Sequence, residues 1–282
     1  MPARRTAWLA GTSHCDDQTM KWMRRLLVVL AAALLVLLFF NSLMSTLGGL
    51  LAHGEAKRVV LAYPAKLRRE FERKKLRYVP YAEIPVCARR GIVSVEDKRF
   101  FTDSGIDPIA ILRVIAMSVV NDHTDHGGST LTQQLARIVI REPRNEPSMW
   151  AEIRGLARIM RYALVVDHEY SKAKILELYL NSVYFGRHAQ GIAQAAEAYF
   201  HAPLERVSLG QCLYLTGLPQ APSVFGRDPA GPLAMRRYRH VLATMVRNHY
   251  LPEVVARVLG REDLFEGGAS HARHGGARAS GR

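Results

Sequence analysis

No charged residue interrupts the chain from Leu26 to Leu51, and the part from Leu26 to Phe40 is apolar throughout. A helix of about 20 apolar residues crosses the hydrocarbon core of a bilayer, so residues 26–51 are read as a transmembrane anchor. The rival is a cleavable signal peptide, whose apolar region is shorter and ends in a small-residue cleavage site. The length of the run favours the uncleaved anchor. Arg4, Arg5, Lys21, Arg24 and Arg25 precede it, and Lys57, Arg58, Lys66, Arg68, Arg69, Arg73, Lys74 and Lys75 come after it, so flanking charge alone does not fix orientation. Because a long domain is translocated largely regardless of its charge, residues 1–25 are expected in the cytoplasm and the bulk of the chain outside.

Beyond the anchor the chain is large enough for one good-sized domain. It has 282 residues in all, 49% of them hydrophobic, which supports a packed core and excludes a disordered protein. Its formal net charge of +14 implies an anionic partner, whether nucleic acid, an acidic membrane surface or a phosphorylated substrate. The basic juxtamembrane segment, residues 52–84, is placed to meet anionic headgroups, although a solvated basic helix explains it equally. Cys15 precedes the anchor while Cys87 and Cys212 lie after it, so at most one intrachain disulfide can form outside. Their apolar helical surroundings point instead to buried free thiols, and no spacing suggests zinc.

The remainder reads as all-α. Apolar residues recur at three- and four-residue spacing over 85–101, 108–121, 129–141, 149–166, 171–181, 191–200, 208–217 and 234–248, with Ser, Asp or Pro near several starts. Residues 267–282 are rich in Gly, Ala, Ser, His and Arg and read as a flexible tail.

Two short stretches carry the chemistry. Glu96-Asp97-Lys98-Arg99-Phe100-Phe101 sets adjacent carboxylates beside an aromatic pair, and if 85–101 is one helix, Glu96 and Phe100 share a face. A Glu ending an apolar helix suits a general acid or base, and it also suits a salt-bridged surface. Gly127-Gly128-Ser129-Thr130-Leu131-Thr132-Gln133-Gln134-Leu135-Ala136-Arg137 combines backbone access, a helix cap, two amides and a cation. Exposed N–H groups at such a helix start suit a phosphate. A plain cap explains Ser129 and Thr130 but not Gln133 and Gln134 together.

These stretches, in order with Tyr170-Ser171-Lys172, Ile175-Leu176-Glu177-Leu178-Tyr179-Leu180-Asn181, Tyr184-Phe185-Gly186, Gly191-Ile192 and Gly217-Leu218-Pro219-Gln220-Ala221-Pro222, resemble the motifs of the peptidoglycan glycosyltransferase family. The resemblance implies a lysozyme-like all-α domain over 85–250, with a large lobe, a small jaw lobe and a cleft, behind a single membrane helix and before an extension over 251–282. With no room after residue 282 for a transpeptidase domain, the chain resembles the monofunctional transglycosylases. It implies polymerisation of lipid II on the periplasmic side of the bacterial inner membrane, with Glu96 as general base. Asp97, Ser129, Thr130, Gln133, Gln134 and Arg137 then match substrate-binding positions. Members often use a divalent metal such as Mg2+, and the implied partners are lipid II, the growing glycan strand, the membrane and other cell-wall synthesis proteins. Nucleic acid is not expected.

The chain departs from the family's pattern at Asp103, where His is usual, and in the third motif. Aligned without gaps from Ser171-Lys172, that motif's two basic positions fall on Gly155 and Leu156, and its Glu falls on Ile159. Glu152, seven residues earlier and nearly on the same helical face, and Arg158 are the candidate compensating residues. Two function classes remain open: an active lipid II polymerase, or a catalytically weak or inactive homologue that binds lipid-linked glycan or cell-wall partners as a scaffold. A lytic muramidase, which needs no phosphate-binding motif, fits less well.

Overall fold

The computed structural model describes residues 12–108, 129–142 and 148–265. All but Pro108 of the helix expected over 108–121, and the Gly127-Gly128 pair, lie outside them, as does the tail.

Among the described residues the structure is helical, with no strand beyond one isolated bridge between Tyr184 and Gln190. The principal helices are α1 (Thr12–Leu51), α2 (Gly54–Arg73), α3 (Val86–Glu96), α4 (Leu131–Ile140), α5 (Met149–Glu169), α6 (Lys172–Ser182), α7 (Ile192–Phe200), α8 (Leu209–Gly217), α9 (Pro222–Phe225), α10 (Pro232–Arg247) and α11 (Glu253–Leu259). The all-α expectation is met. The chain divides into two compact units, residues 1–44 and 45–282. Within α1, Leu34–Leu51 is long and apolar enough to cross a membrane by length and composition.

Side-chain oxygens set several helix starts. Thr130 and Ser208 form reciprocal capping boxes with Gln133 and Gln211, and Ser148 and Ser171 accept from the Ala151 and Lys174 amides. Each satisfies donors that the first turn leaves unpaired. In the unit 45–282, fully buried Phe71, Phe100, Tyr179, Phe185, Tyr214 and Tyr238 belong to one core. The α3/α8 and α4/α5 pairs are among its most extensive packings.

The segment read as juxtamembrane contributes to that core. One face of α2 buries Ala56, Val60, Leu67 and Phe71. Several of its cations are held within the protein: Arg68 lies 4.6 Å over the Tyr78 ring, Lys74 pairs with Glu70 at 2.6 Å, and Arg77, just beyond, pairs with Glu205.

Two expectations are corrected. Helix α3 stops at Glu96 rather than Phe101, because Asp97 leaves the helical region (φ −154°) and its carboxylate turns to another helix. Glu96 and Phe100 therefore do not share a helical face: Phe100 enters the core and Phe101 is exposed. Cys87 and Cys212 are not free thiols but a disulfide, with Cα atoms 6.2 Å apart. The packing of α3 on α8 brings them within bonding reach.

Candidate active site

Glu96 stands at the C-terminal end of α3 with both carboxylate oxygens engaged. Nη2 of Arg237, on α10, donates to Oε1 at 2.9 Å, and Nε2 of Gln134, on α4, donates to Oε2 at 3.2 Å. The partners are held in turn. Arg237 Nε donates to the Gly217 carbonyl at 2.9 Å, and the Tyr179 hydroxyl donates to Gln134 Oε1 at 2.8 Å. The Glu96 and Arg237 side chains are only 13% and 10% exposed, so the pair sits in a restricted dielectric. Burial lowers the Arg237 pKa while the Glu96 carboxylate opposes that shift. A carboxylate has about four lone-pair sites, so two donors leave acceptor capacity for an incoming hydroxyl.

Asp97 faces the other way. Its Oδ2 accepts from the Leu131 amide at 2.9 Å, fixing the first residue of α4 to the end of α3. Thr130 Oγ1 accepts from the Gln133 amide at 3.1 Å and donates to the Gly105 carbonyl at 2.7 Å, while Gln133 Oε1 accepts from the Thr130 amide at 3.0 Å. Thus Asp97, Thr130 and Gln133 build the start of α4. Two amides expected to meet a phosphate already serve Asp97 and Thr130. Ser129 is exposed beside them, and Arg137 lies half-buried two turns along α4.

Gly105 makes this junction possible. Its φ of +83° is open to glycine, and a Cβ there would lie 3.0 Å from Asp167 Cβ and 3.1 Å from the Ala163 carbonyl. Asp103 accepts from the Gly105 amide at 2.9 Å and from Lys172 Nζ at 2.9 Å, and Lys172 also reaches Asp167 at 2.7 Å. Arg99 pairs with Asp107. Burial, reinforced by Asp103, pushes the Asp97 carboxyl up to about 7. Burial also raises Asp103 and Asp167, with Lys172 opposing.

The residues read from the sequence as third-motif positions lie on α5. Ile159 is buried in an apolar seam with Ala136 of α4 and Ala163, flanked by Ile140 and Tyr162. Gly155 makes room for a carboxylate from the end of α4: a Cβ at 155 would lie 3.0 Å from Glu142 Oε1. Leu156 is exposed. Arg158 pairs with Glu142 at 3.3 Å, which directs it to the end of α4 rather than to Glu96. Glu152 lies on α5, and its side chain is outside the described atoms.

Sequence reasoning missed Arg237 and Glu142, and named Asp103 only as a departure from the family's pattern. Arg237 carried a signal: it falls three residues after Ala234 and four before Val241, on the buried stripe of α10.

Beside the site, a groove of about 450 Å³ is lined by Ile138, one turn beyond Gln134, with Ser182, Tyr184, Pro219, Gln220 and Ser223 among its walls. Among the described residues no three His, Cys, Asp or Glu side chains converge to hold a metal. Glu96 faces Arg237 and Gln134 while Oδ2 of Asp97 faces the Leu131 amide, so the two carboxylates do not converge on one point. Among the described residues this donor set does not fit a protein-held divalent cation.

A model of the transglycosylase family matches residues 65–246. Penicillin-binding protein 1A of Escherichia coli (strain K12) is 32% identical over 171 residues, which are 61% of this chain and 19% of that protein. The protein of the same name from Clostridium novyi is 34% identical over 191 residues, 64% of this chain and 22% of its own length. That from Vibrio cholerae is 31% identical over 192 residues, 68% and 22% respectively. The chain spans about a fifth of the length of these relatives.

Proposed function

Because the chain belongs to the transglycosylase family, we propose that it is a membrane-anchored peptidoglycan glycosyltransferase that polymerises lipid II into β-1,4 glycan strands. The observation that carries this reading is Glu96, a carboxylate held from two sides by Arg237 and Gln134 with acceptor capacity to spare. In the proposed reaction the acceptor's 4-hydroxyl attacks C1 of the donor, Glu96 takes the hydroxyl proton, and undecaprenyl diphosphate departs with inversion at C1. A diphosphate needs no strong acid to leave; its charge needs cations and donors. Ser129, just before α4, and Arg137, on α4, are the side chains proposed to meet it. Asp97, Thr130 and Gln133 act by fixing the start of α4.

Anchoring by the Leu34–Leu51 stretch of α1, with the catalytic unit on the periplasmic side, completes the proposal. The Cys87–Cys212 disulfide supports an oxidising compartment. The partners are lipid II, the growing strand and the membrane.

One observation favours a second reading, a weak or inactive homologue acting as a scaffold. Ile159, at the third-motif Glu position, is buried in an apolar seam, where it neither holds a diphosphate nor polarises a hydroxyl. Polymerisation of labelled lipid II by the purified chain separates the two. Glycan strands from the wild type, falling about 100-fold or more in Glu96→Gln, are expected. No strands from the wild type, under conditions where a family member makes them, overturns the enzyme and leaves the scaffold.

A further inference from the structure

Glu96 is the last residue of α3 and Gly217 the last of α8, and one guanidinium gathers both ends. Arg237 Nη2 reaches Glu96 Oε1 at 2.9 Å and Nε reaches the Gly217 carbonyl at 2.9 Å. The two donors sit on one rigid planar group, so their separation is fixed. N–H···O bonds weaken beyond about 3.2 Å, which means the bridge holds only while the two helix ends keep one spacing.

The helices are joined again upstream. Cys87, near the start of α3, is bonded to Cys212 of α8. One turn further on both helices, Gly91 lies against Thr216: a Cβ at 91 would come within 2.8 Å of Thr216 Cγ2. The contacts 87 with 212 and 91 with 216 advance in the same direction, so α3 and α8 run parallel and in register toward the two groups that Arg237 spans. Thr216 and Leu213 of α8 pack into the space that Gly91 leaves, so the close approach of the two helices fits one register. A slip of one residue along a helix axis moves its end by about 1.5 Å, more than the Arg237 bridge tolerates.

We propose that the Cys87–Cys212 disulfide is a positioning element of the active site, locking the axial register of α3 against α8 so that Arg237 spans Glu96 and the Gly217 carbonyl together. This rests on the reading of Glu96 as the reacting carboxylate. The cross-link touches no substrate and acts through Arg237.

The test uses the full chain in detergent micelles, comparing wild type, C87A/C212A, Arg237→Ala and the combined variant. Helix content and melting temperature are measured first, and each assay is run well below the melting point of the variant concerned. The double cysteine variant is expected to stay helical while its lipid II polymerisation rate falls about tenfold or more, a loss of the size that misplacing a reacting group produces. The combined variant should then be no more than about twofold slower than Arg237→Ala alone, because both changes break one bridge. A purely structural disulfide predicts losses that multiply. Amide hydrogen exchange at residues 93–97 and 214–218 reads the same coupling without catalysis: it should rise alike in C87A/C212A and Arg237→Ala and no further in the combination. Full activity in the cysteine variant, multiplying losses, or unchanged exchange at both helix ends overturns the proposal. If the wild type makes no glycan, the reading of Glu96 has failed separately, and exchange alone decides on the register lock.

Discussion

Arg237 donates to Glu96 across 141 residues of sequence, and the two side chains are among the least exposed ion-paired groups of the protein. Removing one member of such a pair leaves the other desolvated and unpaired, which costs about 3–5 kcal/mol where burial is complete and less here. Arg237→Ala is therefore expected to lower the melting temperature and to reduce polymerisation about 100-fold. Arg237→Lys keeps the charge but has no fork to span two acceptors, so it should recover stability more than rate. Equal recovery of both, by thermal melts and lipid II turnover, would show that charge alone matters at this position.

Ile159 offers a test of the third motif. Ile159→Glu, which supplies the acid that the resemblance leads one to expect there, places a carboxylate in the apolar seam of Ala136, Ala163, Ile140 and Tyr162. An unpaired buried charge is destabilising by about 3 kcal/mol or more, so the variant should melt well below wild type without gaining activity. A variant as stable as wild type and faster at polymerisation would mean that position 159 opens to substrate.

Much of this site was legible in the sequence, and the limits have physical causes. Glu96 and Gln134 stood out because a carboxylate and an amide occupy positions where apolar helices seldom place them. The Thr130 to Gln133 spacing is that of a capping box, so half of the supposed cradle is accounted for by helix initiation. The end of α3 was misplaced because periodicity continues through Phe100, while Asp97 breaks the helix to serve a helix start 34 residues away. No local pattern encodes that. Arg237 lay in a run with Arg236 and Arg239, where only packing against α3 and α8 distinguishes it. The disulfide depends on two helices meeting in space, and local composition pointed the other way.

Stability should vary with pH through Asp97. Its carboxyl is raised to about 7 by burial and then by Asp103, with the Leu131 amide and Lys172 opposing and Asp107 adding to the rise. An unfolded Asp titrates near 3.9. Between about pH 4 and 7 the folded protein holds a proton that the unfolded chain has released, so stability falls as pH rises through that window. Raised Asp103 and Asp167 act in the same direction. Melting temperatures should drop from pH 5 to pH 7.5, and Asp97→Asn, which keeps an acceptor for the Leu131 amide, should flatten the drop. A steeper drop in that variant would assign the slope to other groups.

Gly105→Ala forces a side chain into a left-handed conformation against Asp167 and the Ala163 carbonyl. Such strain costs roughly 1–3 kcal/mol. Because the Gly105 carbonyl accepts from Thr130 at the start of α4, the variant should lose both stability and activity. Chemical denaturation measures the first and lipid II turnover the second; an unchanged midpoint would mean that the turn relaxes freely.

The bond between Cys87 and Cys212 closes a ring over a sequence separation of 125 residues. Glu96, Gln134, Ile159 and Tyr179 lie inside that ring, and Arg237 lies outside it. A single backbone cut anywhere between residues 88 and 211 therefore opens the ring without dividing the molecule. The two fragments stay tied through sulfur and migrate as one species on a gel until a reductant is added. The carboxylate and its amide partner, even when carried on different fragments, remain parts of one covalent object, and a nicked molecule keeps the connectivity on which its site depends.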